Sequence, residues 1–295
     1  MQVGLLVFIP CFAGLIMALI ALRGCYKIPA MRSSFGYLTR YEMYLRITAC
    51  SNSGSFYLFG VLFDIKLLLN NSEIFGLIST TLVPIVISVH FVMSINRFLA
   101  IVTPFYYNTI FSLKYRRIYV SLCFFVPIVY TPVFTWYYNC GYKFYHYGWV
   151  FSFIISETCG NKFEVLLRTV QSVLFLNTTC FLDFSTLILL VCFRKRVLKT
   201  KSPEIRKREL NFAQQVLIQG FISLLFLLVY SLGYQWLPGS IGENWKIFWT
   251  SSFFANSLHI FTIGTIFVFN AEFSKWLRCG NLLPARSVSV VNPVV

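Results

Sequence analysis

Along this chain the alternation of apolar and polar residues is coarse, far longer than one helical turn. Seven mainly apolar stretches recur: Val3–Leu22, Phe35–Phe63, Ile74–Phe98, Ile118–Trp136, Leu166–Phe193, Asn211–Trp236 and Ile247–Asn270. A helix needs roughly 20 such residues to cross a bilayer, so the pattern predicts seven transmembrane helices in an all-α integral membrane bundle. Short polar segments separate the stretches, apart from one long connector over 137–165. No internal repeat divides the chain. A single domain is expected over residues 1–278, with 279–295 as a tail. The first stretch lacks the basic start of a signal peptide and its apolar run is too long for one, so it is read as a span.

The second stretch is the most polar. It carries Arg40, Glu42 and Arg46, then the run Ser51-Asn52-Ser53-Gly54-Ser55. An ion at the bilayer centre costs about 2.5–3.5 kcal/mol. Glu42 and Arg46 stand four apart on one helical face, a spacing that lets them pair. Shielding by neighbouring helices is therefore expected, with Arg40 and Arg46 toward the cytoplasmic interface.

Composition agrees with lipid as the main solvent. Charged residues are only 12% of the chain and apolar ones 57%, against about 25% charged in soluble domains. The net charge of +15 would suit nucleic acid, but the basic residues fall in short runs between apolar spans, so membrane lipid and not nucleic acid is the expected partner. Eighteen of the 25 lysines and arginines lie in alternate connectors. By the positive-inside rule that side is cytoplasmic, which predicts an outer N-terminus and an inner C-terminus. Nine cysteines without a Cys-x-x-Cys pair, beside three histidines, argue against a metal site, and no cofactor is expected.

One cation breaks the apolar pattern with a motif around it. The third span ends in "SINRFLAIVTPFYY", residues 94–107, with Arg97 at its cytoplasmic end. An arginine there serves either as an interfacial anchor to lipid head groups or as a contact to a protein partner. Asn96-Arg97-Phe98, followed by Pro104 and Tyr107, resembles the Asp-Arg-Tyr region of rhodopsin-like G-protein-coupled receptors. Asn96 stands where that motif has an acid, so its internal charge pair is missing. "MRSSFGYL", "INRFLAIVTPFYYNTIFS", "FLDFSTLILL", "RKRELNFAQQVLIQG" and "FVFNAEFSKW", in this order over roughly residues 31–278, resemble the nematode serpentine chemoreceptor class X (Srx). The first span lacks the polar Asn expected there.

The resemblance implies a multi-pass plasma-membrane receptor, in the cilium of a chemosensory neuron. It would bind an external small molecule and activate a heterotrimeric G-protein through Asn96, Arg97, Phe98 and Pro104. Candidate ligand contacts are Ser79, Thr80, Val83, Arg168, Gln171, Tyr234 and Asn256. Arg168 equally has Glu164 one turn away as an ion-pair partner. Rhodopsin-like receptors tie the long outer connector to the third helix, but no cysteine lies at the outer start of that span here. A bridge between Cys140 and Cys159 is expected instead, closing a loop with 18 residues between them and contributing roughly 3 kcal/mol. Two free thiols are the alternative. Asn70-Asn71-Ser72 is an N-glycan acceptor pattern at Asn70. Phe273, Trp276 and Leu277 share one face of a short helix after the last span, suited to lying on the inner leaflet, where Cys279 is a palmitoylation candidate.

A ligand-gated channel or transporter subunit is the competing reading, but no polar stripe runs through several spans. An enzyme is not expected. Gly-x-Ser-x-Gly is absent, and Asp64 and Asp183 lie in different spans.

Overall fold

The computed structural model describes residues 2–137, 140–153, 176–192 and 203–279. Helix α1 (Gln2–Lys27) is almost wholly apolar. A single 3₁₀ turn at Pro29–Arg32 reverses the chain, and the Ser33 hydroxyl caps the next helix by accepting from the Gly36 amide at 3.4 Å. Such a cap satisfies one of the amides that a helix start leaves bare. Helix α2 (Ser34–Ser55) runs on into a π-helical segment, Phe56–Leu62. After the short α3 (Lys66–Asn70) comes α4 (Ser72–Val102), about 46 Å long at 1.5 Å per residue.

Pro104 opens α5 (Pro104–Ile110), a position where its missing amide costs nothing. Helix α6 covers Leu113–Tyr137. Strands β1 (Tyr142–Tyr145) and β2 (Val150–Phe153) pair antiparallel in a hairpin, Tyr142 opposite Phe153 and Tyr145 opposite Val150. Helix α7 spans Leu176–Cys192 and α8 spans Pro203–Trp236. Helix α9 (Glu243–Phe269) contains a second π-helical segment at Trp249–Phe253. The amphipathic α10 (Ala271–Cys279) follows.

Contacts between neighbours close a ring, α1–α2–α4–α7–α8–α9 and back to α1, with α6 packed outside α4 and α2. Helix α4 also touches α8, which makes it the central strut. Among the described residues α1, α4 and α9 are each long and apolar enough to cross a membrane. Much of the apolar surface stays outward, as with Ile9, Phe12, Phe125, Phe181, Phe221 and Val268, and lipid covers such surface without penalty. The architecture is an all-α membrane helix bundle.

Two apolar cores stand at opposite ends. One joins Ala18, Ala21, Met31, Phe35, Leu38, Met43, Met93, Ile263, Ile266 and Phe273. The other joins Val3, Val7, Cys11, Phe56, Tyr57, Phe144 and Phe248 beneath the hairpin. Buried polar groups lie between them.

Candidate functional site

At the end of α4, Arg97 is buried, 6% exposed. Its guanidinium lies over the Phe35 ring of α2, 3.7 Å from the centroid, a cation–π contact. Asn96 donates through Nδ2 to the Tyr107 hydroxyl at 3.1 Å, and that hydroxyl lies 3.4 Å from Asn96 Oδ1. The amide thus ties α4 to α5. Phe98 is half-buried, and Pro104 is the first residue of α5. Of the four residues singled out in the sequence, Arg97 reaches the start of α2 and Asn96 reaches α5, which Pro104 begins. The acid missing from the motif is replaced by an aromatic face and an amide–phenol bond.

Deeper in the bundle, Arg46 bonds Glu42 Oε1 through Nη2 at 2.6 Å and Nε at 3.0 Å. Its Nη1 lies 3.2 Å from His259 Nδ1 of α9. Glu42 and Arg46 are 0% and 4% exposed. The pair that the four-residue spacing allows is formed, and His259 of α9 closes over it inside the bundle. Arg40 of α2 is half-buried, its guanidinium 5.1 Å from the Tyr26 ring centre and 5.8 Å from that of Tyr37. Sequence reasoning missed a second buried contact, His90 Nε2 of α4 to Asp183 Oδ2 of α7 at 4.0 Å. Its only signal was an isolated titratable residue in each of two apolar spans. Gly220 of α8 admits it, because a Cβ there would stand 2.9 Å from Asp183 Oδ2.

The other end is built around the hairpin. Its turn carries two residues in left-handed backbone, Gly148 (φ 73°) and Trp149 (φ 46°). For tryptophan that costs about 1–3 kcal/mol. The Trp149 carbonyl accepts from the Tyr57 hydroxyl at 2.7 Å and the Ser252 hydroxyl at 2.8 Å. Both donors come from the two π-helical segments, whose wider turns offset the side chains. Cys140 is buried and disulfide-bonded; Cys159, like Glu164, Arg168 and Gln171, lies outside the described residues. Tyr147 donates to Glu243 Oε2 at 2.7 Å, and this bond holds the exposed phenol above its ordinary pKa.

The remaining ligand candidates do not converge into one set. Ser79 accepts from Asn52 of α2 at 3.0 Å, and Thr80 bonds the carbonyl of Gly76 at 2.9 Å. Asn256 is held by the Ser252 carbonyl at 2.7 Å and by the Cys11 thiol at 3.3 Å. Tyr234 is exposed, with Lys246 5.4 Å from its ring centre. Val83 is 57% exposed, although it shares a stripe of α4 with Gly76, His90 and Ser94, which are buried. Asn70 is exposed at the end of α3. Asn270 caps α10, its Oδ1 accepting from the amides of Glu272 (3.2 Å) and Phe273 (3.3 Å). Phe273 is fully buried and Leu277 exposed, so the apolar face of α10 divides between α1 and the surroundings. The Cys279 side chain lies outside the description.

Helix α4 of this ring thus runs from the hairpin at one end to the buried arginine at the other. Residues 8–270 match the family described as serpentine type 7TM GPCR chemoreceptor Srx. The chain is also 36% identical over 291 residues to "Serpentine receptor class X-43" of Caenorhabditis elegans, covering 99% of this chain and 91% of that protein. The chain belongs to the Srx family of serpentine chemoreceptors.

Proposed function

We propose that this chain is a G-protein-coupled chemosensory receptor of the plasma membrane. An external small molecule enters at the hairpin end, and a heterotrimeric G-protein engages the Arg97 end. The N-terminus is outside and the C-terminus inside. Cys140 pairs with Cys159, so the hairpin carries its own tie. The seven spans, Asn70 as a glycan site and Cys279 as a lipid-modified thiol belong to the same reading.

The observation that carries it is the Arg97 junction. Its guanidinium is stacked and largely desolvated in the closed bundle, and stacking is a contact that splaying of α2 from α4 would break. A permanently charged, multi-donor group would then face the opened end, where a partner helix terminates in bare carbonyls. At the other end, the exposure of Val83 on an otherwise buried stripe is consistent with a space reaching into the bundle beside Ser79 and Thr80.

Arg97→Ala is expected to abolish ligand-stimulated nucleotide exchange on the G-protein while surface expression stays normal. Cells carrying a promiscuous G-protein and a panel of volatile and water-soluble compounds provide the assay. Full signalling by the Ala variant would end the assignment of Arg97. Ligand-evoked currents that persist without G-proteins would favour a channel.

A further inference from the structure

We propose that the hairpin end holds a binding site for an organic ammonium ion. It rests on the reading of this end as the ligand-facing one. A pocket of about 330 Å³ is lined by Tyr147, Trp149, Gly242, Glu243, Asn244 and Trp245, within the size range of small-molecule sites. Two indoles form its wall, Trp149 and Trp245, with centroids 5.2 Å apart and planes at 53°. Glu243 brings a carboxylate to the rim, and Tyr147 occupies only its Oε2. Asn244 adds an acceptor: its Oδ1 is buried without a hydrogen-bond partner among the described residues.

These groups all select for one chemistry. Indole faces attract cations, quaternary ammonium included. The carboxylate supplies the opposite charge, and the orphan amide oxygen wants a donor. An anion would meet the Glu243 charge, and a purely apolar ligand would leave the Asn244 oxygen unsatisfied. The nearest basic group of the helix, Lys246, is turned onto the Tyr234 ring.

The wall is also fixed in advance. Trp149 sits in left-handed backbone, and the two π-helical segments clamp its carbonyl through Tyr57 and Ser252. Gly148 allows the turn to press on α9, since a Cβ there would stand 2.5 Å from Ile247. Trp149 packs edge-on against the buried Phe248, at 6.2 Å and 90°. A strained, doubly anchored aromatic is a costly way to make a plain loop, and it pre-orders the ring for a ligand.

The test is calorimetric titration of the full chain in nanodiscs of neutral lipid. Choline is the probe, and 3,3-dimethylbutan-1-ol its uncharged isostere. Choline is expected to bind saturably, and the isostere about tenfold more weakly or worse. Glu243→Gln keeps the acceptor for Tyr147 and removes the charge; Trp245→Phe keeps an aromatic ring and weakens its pull on a cation. Each is expected to weaken choline binding, the first by about tenfold. Absence of saturable choline binding, equal binding of the isostere, or wild-type affinity in both variants overturns the proposal. No G-protein is present in this assay, so such a failure leaves the Arg97 assignment standing, and failure of signalling by Arg97→Ala to change leaves this site standing.

Discussion

At the scale of single residues, the charges inside the bundle set the energetics. Glu42 and Arg46 form two bonds with each other, and Arg46 a third contact with His259. Desolvating such a pair costs about as much as its attraction returns, but removing one partner strands a buried charge. Glu42→Ala is therefore expected to destabilise the bundle by about 3–5 kcal/mol. The replacement of both ions, Glu42→Leu with Arg46→Met, should recover most of that loss. Thermal unfolding in detergent reads both, and a single variant melting with the wild type would refute the argument. His259 gains its meaning only here: it joins α9 to α2, so the trio also decides how those helices sit against each other.

Between elements, glycines set the close approaches. Gly76 on α4 lies under the hairpin, where a Cβ would stand 1.8 Å from the Tyr142 carbonyl oxygen. Backbone cannot step aside as a flexible side chain does. Gly76→Ala is expected to lift the hairpin from α4 and to cost roughly 1–3 kcal/mol. Trypsin cleavage after the half-exposed Lys143 should become faster in the folded protein, and an unchanged cleavage rate would show the hairpin held elsewhere. Gly24 plays the matching part at the other end. Its missing side chain leaves room for the Phe273 ring, 2.2 Å from where a Cβ would be, and so α10 docks on α1 before it meets a membrane surface. The two π-helical segments act between these scales, each adding the offset that brings a hydroxyl to the Trp149 carbonyl.

For the whole molecule, the distribution of basic residues argues one orientation. Eighteen of the 25 lysines and arginines lie in alternate connectors, the one beside Arg97 among them, and such connectors stay in the cytoplasm. Epitope tags at the two termini should therefore be accessible from opposite sides of intact cells, the N-terminal one without permeabilisation. Both tags on one face would overturn this topology and the seven-span count with it. In the proposed orientation the hairpin pocket is outside and the arginine junction inside. Those two ends are joined by α4, whose 26-residue run from Ser72 to Arg97 spans about 37 Å.

Much of this was legible in the residues alone. Apolar runs longer than a bilayer is thick dictate membrane helices, because an unpaired backbone cannot live in lipid. Charge counted by connector proposes an orientation without any coordinates. The end of α4 was legible because Arg97 is a cation where oil should be, and the (i, i+4) spacing announced Glu42 with Arg46. What needed the tertiary structure was everything made between distant segments. His90 and Asp183 lie 93 positions apart by number, Trp149 meets Tyr57 and Ser252, and Phe35 receives Arg97. In a uniformly apolar sequence, periodicity is weak evidence of which face turns inward, since lipid and protein interior accept the same side chains. Only packing chooses, and it chose an aromatic ring for Arg97 and a histidine for Arg46.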